Sequence, residues 1–418
     1  MRSNTVKLLL LSLLFYCPLV YGQTATDPFV TYANNQSQLM HDAWVKRDIK
    51  ADKALLDDFV THYNKLSPDG KAMYKGYITN AYYNHACIYS LNNNKPMGLA
   101  YLDSAMVHGF YDYQHIQTDS DLDNIRHEAR YTEIANAMRS VGDYPYILAR
   151  GEKYNPNDLR RIPAFTYPPV NDPNLVALKN RFNLDSVAGT GNDVSKVLSV
   201  LHWVHNNVNH DGQHESGIVN INALDIITTV KAKKIGVSCG ELATTLNDCY
   251  LSLGFKARKV YCFPKDSLQM DYDSHVINVV FVPSLKKWIW VDPTNDAYVM
   301  DEHGNLLSIE EVRERIIQNQ PLIVNPDANW NHREAITRDF YLGYYMSKNL
   351  YRMYSPLSGD YNYQTPGANK TTVYVMLLPL DYFKQGPDKS DAVNSKTNST
   401  VTWYRTNNPS VFWQTPAQ

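Results

Sequence analysis

Cysteine is scarce in this chain, with five in 418 residues, too few for a disulfide scaffold of this size. Charge of either sign is not in surplus: the formal net charge is -2, which gives no electrostatic reason to expect nucleic acid as a partner. After Val20 no segment is apolar enough to span a bilayer. Internal repetition is also thin. One helix-turn-helix unit is legible, whereas a stacked array needs at least about three to bury a continuous core.

What is present begins with a leader pattern. Arg2 and Lys7 precede an apolar run from Leu8 to Val20, and Val20-Tyr21-Gly22 offers a cleavage site before Gln23. The run is shorter than the roughly 20 residues of a membrane span, so residues 1–22 are expected to be a signal peptide, cleaved near Gly22. The expected location is exported, periplasmic or extracellular. A lipoprotein reading through Cys17 is weaker, because Tyr16 precedes it and Pro18 follows.

Residues 30–142 read as helical. Tyr82 to Leu91, the turn Asn92-Asn93-Asn94-Lys95, and Ala100 to Ala105 form two amphipathic helices that resemble a tetratricopeptide repeat. Asp119-Ser120-Asp121-Leu122-Asp123 invites a calcium-loop reading, but Asn124 and Arg130 stand where such a loop needs Gly and Glu. Prolines crowd residues 143–173, so 143–190 is expected to be a linker.

The chemistry concentrates between Gly236 and Thr294. After Cys239, Leu242, Leu246, Tyr250 and Leu253 recur at helical spacing until Gly254, which places Cys239 at a helix N-terminus. There the free backbone N–H groups and the dipole favour thiolate and can meet a developing oxyanion. Lys256 to Phe263, His275 to Val282 and Lys287 to Val291 read as strands, with a hairpin at Pro283-Ser284 joining the last two. That hairpin sets His275, at the start of one strand, beside Asp292, at the end of its antiparallel neighbour. Cys, His and an acid are the parts of thiol catalysis: nucleophile, proton carrier and orienting group.

Gly-Val-Ser-Cys-Gly-Glu, Leu-Gly-Phe-Lys-Ala-Arg-Lys-Val from Leu253, Ser-His-Val-Ile-Asn-Val-Val and Lys-Trp-Ile-Trp-Val-Asp-Pro-Thr together resemble the core of the transglutaminase-like superfamily. The resemblance covers roughly residues 190 to 300. It implies an α+β fold with a papain-type triad, in which Cys239 is the nucleophile, His275 the base and acid, and Asp292 the orienting acid. The expected organisation is then a catalytic domain over 191–320 with an antiparallel sheet, followed by a helical and then β-rich region over 321–418. Acyl transfer through a Cys239 thioester is implied, ending in hydrolysis of a peptide or amide bond or in transfer to a lysine amine that crosslinks. A catalytically silent scaffold that binds peptide or protein is a third reading. The expected partner is a peptide or protein substrate, with no cofactor and no metal; the oligomeric state is not legible.

Other features compete with this reading. Gly236-Val237-Ser238-Cys239-Gly240 also fits a serine-hydrolase elbow with Ser238 as nucleophile, although Lys231 to Lys234 make a poor strand before it. Of His202, His205, His210 and His214, the first two could bind a metal with His210 joining through the turn; the alternatives are surface or packing roles and, for His210, a share in the substrate site. Cys249 and Cys262 could pair or stay as buried thiols. Lys389 to Ser399 is polar and reads as mobile. An oxyanion donor beyond the Cys239 N–H is expected, and the sequence does not identify it.

Overall fold

Residues 27–265 and 273–416 are described by the structure, a computed structural model. The expected signal peptide lies outside the described residues. Two compact units divide the chain, residues 1–143 and 144–418.

The first unit is helical. Its helices include Pro28–Lys46, Ile49–Asn64, Lys75–Leu91, Lys95–His108 and Ala129–Gly142. Short polar side chains start several of them: Asp27, Asp48 and Asn94 each accept a backbone N–H of the first turn. Gly109 ends the helix Lys95–His108 at φ 105°, a conformation that side chains with a Cβ disfavour. Leu102, Ile116, Ile125 and Met138 fill one buried cluster, and Leu56, Phe59 and Ile78 another.

The second unit is built on a nine-stranded sheet. Its strands are β1 (Ala257–Phe263), β2 (His275–Val282), β3 (Lys287–Asp292), β4 (Ala297–Met300) and β5 (Ile323–Val324), and, after the short ribbon of β6 (Asn329–Trp330) and β7 (Glu334–Ala335), β8 (Arg352–Pro356), β9 (Thr371–Leu377), β10 (Lys389–Asn394) and β11 (Ser399–Thr406). The order is β10-β11-β9-β8-β1-β2-β3-β4-β5. The pairs are antiparallel except β9 with β11, which run parallel. This mixed sheet with its packed helices is an α+β architecture.

Both faces of the central strands are buried, which is why they read as nearly unbroken apolar runs. Ile277, Val279, Trp288 and Trp290 face one core; Val280, Val282, Ile289 and Val291 face the other, against Leu242 and Leu246 of the helix Cys239–Ser252. Side chains alternate across the sheet, so His275 and Asp292 lie on the Trp290 side. The Cys239 helix covers the opposite side, and it can meet His275 because that residue stands at the very start of β2.

One expectation about organisation differs from the fold. Residues 143–190 are not a bare linker: they hold the helices Tyr144–Arg150, Pro173–Phe182 and Leu184–Ala188. The prolines break helices there, yet Leu148, Phe165, Leu175 and Leu178 still find the core. The strands after residue 321 join the same sheet, since β8 pairs with β1 and brings β9, β11 and β10 into it.

Candidate active site

The helix Cys239–Ser252 starts where it does because of a capping box. Ser238 Oγ accepts the Glu241 N–H at 3.3 Å, and Glu241 Oε2 accepts the Ser238 N–H at 2.9 Å. The Ser238 hydroxyl also donates to Glu241 Oε2 at 2.8 Å, and Ser216 donates to the other oxygen of that carboxylate. Ser238 is therefore committed to the cap, which displaces the reading that made it a nucleophile. Cys239 takes the first helical position, where backbone N–H groups have no partner within the helix.

Asn278 faces Val291 across β2 and β3. One step further along that register Asp292 falls level with Ile277, so it is a diagonal neighbour of His275 rather than directly opposite. The two side chains meet at 2.8 Å through His275 Nε2 and Asp292 Oδ2. Both are buried, Asp292 completely. With Nε2 bonded to Asp292, Nδ1 is the ring nitrogen left for the Cys239 sulfur, to which His275 is electrostatically linked.

Buried charge demands partners, and Asp292 has them. Its Oδ2 also accepts the Tyr341 hydroxyl at 2.6 Å and Asn295 Nδ2 at 3.0 Å, while Oδ1 accepts the Thr294 N–H at 2.9 Å. Tyr341 in turn accepts the Trp290 indole N–H at 3.1 Å. Tyr341 lies in the π-helix Asp339–Met346, a wide turn of the kind that often aims side chains at functional sites. From the helix Asp193–Asn207, His205 Nδ1 lies 3.1 Å from the Pro293 carbonyl and His202 pairs with Asp296 at 2.7 Å, so both hold the turn after Asp292.

Electrostatics follow from this arrangement. Burial opposes ionisation of Cys239, but hydrogen bonds from His210 and His275 and the charge on His275 outweigh it, and the thiol falls from 9.0 to about 6. At His275 burial favours the neutral ring, yet the adjacent Asp292 carboxylate, with help from Cys239, lifts the imidazole to about 10. Asp292 is held below its ordinary value despite burial, chiefly by His275. Between those limits sulfur and ring form a thiolate–imidazolium pair. Cys87, Cys249 and Cys262 behave oppositely: all three are free, buried, and pushed up by burial.

The structure thus brings Cys239, His275 and Asp292 together. Three contributors were missed by sequence reasoning, Tyr341, Asn295 and Trp330, and His210 was left undecided. Of His202, His205, His210 and His214, His210 is the one that acts on the sulfur; His214 pairs with Asp211 at 2.8 Å. Trp330 donates its indole N–H to His210 Nδ1 at 3.1 Å.

Residues 180–293 match the family model described as the transglutaminase-like superfamily. Two solved structures are similar over part of the chain. A Cytophaga hutchinsonii chain described as a "putative cysteine protease" is 19% identical over 31% of this chain and 46% of its own, with a TM-score of 0.22. A Parabacteroides distasonis chain described as a "putative protease" is 15% identical over 29% of this chain and 26% of its own, with a TM-score of 0.18. The matched part is thus less than half of either solved chain. No curated protein matches. With Cys239, His275 and Asp292 inside the matched stretch, the chain carries a transglutaminase-like domain over residues 180–293.

Proposed function

We propose that this protein is an exported thiol enzyme that transfers an acyl group through a thioester on Cys239, with a peptide or amide bond as substrate and water as the acceptor. The observation that carries the reading is the His275 Nε2–Asp292 Oδ2 bond at 2.8 Å, with His275 acting in turn on a Cys239 thiol that sits at a helix N-terminus. In the first half-reaction the thiolate attacks the carbonyl carbon and the C=O electron pair moves onto oxygen. The tetrahedral adduct then collapses, the C–N bond breaks, and the His275 imidazolium gives its proton to the leaving nitrogen. In the second half-reaction His275 takes a proton from water as the water attacks the thioester, which frees the acid and restores the thiol pair. Asp292 stays ionised throughout and holds the ring.

Water as acceptor uses only the base already in place, whereas an amine acceptor would give crosslinking by the same chemistry. The test is alkylation and turnover on one preparation. Iodoacetamide at pH 7 is expected to label Cys239 ahead of Cys87, Cys249 and Cys262, and Cys239→Ala to abolish release of ammonia or peptide from a casein digest. Labelling no faster than a free thiol would sink the reading. Incorporation of a labelled amine without release of fragments would move the acceptor from water to lysine. Export is tested by sequencing the N-terminus of the mature protein, expected at Gln23.

A further inference from the structure

Two histidines bear on one sulfur, and their other partners have opposite chemistry. His275 gives its far nitrogen to a carboxylate. His210 gives its Nδ1 to an indole N–H, and an indole N–H can only donate. Nδ1 of His210 must therefore present a lone pair, and the ring proton resides on Nε2. We infer that His210 Nε2–H is the second donor of the oxyanion site, beside the Cys239 backbone N–H, and that Trp330 is the positioning residue that fixes its tautomer. This inference rests on the thiol-enzyme reading above.

The effect on the sulfur agrees with that assignment. His210 is bridged to Val237, two residues before Cys239, and lowers the thiol; with Nδ1 engaged by Trp330, the nitrogen left for the site is Nε2. A carboxylate partner makes His275 the proton carrier, and an indole partner leaves His210 only a proton to donate. When sulfur attacks, negative charge leaves it for the carbonyl oxygen one bond away from the new C–S bond. The Nε2–H that met the thiolate loses that acceptor and can follow the charge, with no proton changing hands.

The ring is also held in place before reaction, which is what such stabilisation requires. The His210 N–H donates to Asn331 Oδ1 at 2.8 Å, and its carbonyl accepts Asn331 Nδ2 at 2.9 Å. Asp211 N–H donates to the Val237 carbonyl at 2.8 Å, and Val237 N–H to the Asn209 carbonyl at 2.9 Å. Residues 209–211 are thus laced to the segment that leads directly into Cys239.

The test uses the full chain as wild type, His210→Ala, His210→Gln and Trp330→Phe. Ring nitrogen NMR on 15N-histidine protein is expected to show His210 protonated at Nε2 alone, and a mixture of tautomers in Trp330→Phe. N-acetylglycinal, an aldehyde that adds the thiol and places an oxygen where the oxyanion forms, is then competed against iodoacetamide. His210→Ala is expected to weaken aldehyde protection by roughly 10²-fold while Cys239 still alkylates at pH 9, and His210→Gln, which keeps an N–H donor, to recover part of it. Unchanged protection in His210→Ala, or a wild-type ring protonated at Nδ1, would overturn the inference and leave the thiol enzyme standing. A wild type that traps no aldehyde and alkylates like a free thiol would remove both.

Discussion

Cys239 is where burial and electrostatics pull against each other, and the outcome sets a pH dependence. Burial alone would hold the proton on sulfur; His210 and His275 reverse that and bring the thiol to about 6. Alkylation of Cys239 should therefore rise as pH passes about 6 and stay level above it, since the thiolate persists. Turnover should rise through the same limb but fall again near 10, where His275 loses the proton that the leaving nitrogen needs. Removing the ring tests the sign: in His275→Ala the lower limb of alkylation should move upward, toward the ordinary thiol value, and turnover should drop by about 10² to 10⁴. Stopped-flow alkylation and steady-state rates across pH 4 to 11, as an approximate range on either side of these values, separate the two curves. Cys239, His275 and Asp292 were legible because each marks the end of an element that its own neighbours define. His210, Trp330 and Tyr341 were not, because they reach the site through tertiary closure: His210 lies 120 residues from the indole that orients it.

At the scale of elements, the segment before the catalytic helix is closely packed. A Cβ on Gly236 would lie 2.6 Å from Asp211 Cβ and 3.0 Å from its backbone nitrogen, so the close lacing of residues 209–211 to Val237 depends on that glycine. Gly236→Ala should cost about 1–3 kcal/mol, as overpacking of a closed contact does, and slow Cys239 alkylation at pH 7 by withdrawing His210. Denaturant melts and alkylation rates check the two effects together; a stable variant with unaltered alkylation would show that the strap is not needed. The periodic signal after this segment was readable: β2 begins at His275 and ends at Val282 as expected. Lys389 to Ser399 was not readable, and the expected mobile stretch instead contains β10, paired with β11. Lys389–Asn394 is almost wholly exposed at the sheet edge, so it needs only backbone partners and carries no apolar alternation to betray it.

At the scale of the whole molecule, every side chain placed at the site belongs to residues 144–418, the second compact unit. The catalytic helix packs on one face of β1 to β3, and the π-helix with Tyr341 belongs to the core on the other face, which reaches from β9 to β5. Local patterns could mark the central strands but not the order β10-β11-β9-β8-β1, which is set by pairings such as Tyr261 with Tyr354 across some ninety residues. Because those late strands complete the sheet beside β1, cutting the chain after the transglutaminase-like match should be far more damaging than removing the helical unit. A chain of residues 144–418 is expected to melt cooperatively and to alkylate Cys239 with the same limb near 6 as the full protein. A chain of residues 144–320, which ends before β8, is expected to expose the Val260 and Cys262 side of β1 and to aggregate or lose selective labelling. Equal behaviour of the two shortened chains would mean that the site is supported by β1 to β4 alone and that β8 to β11 are an appendage.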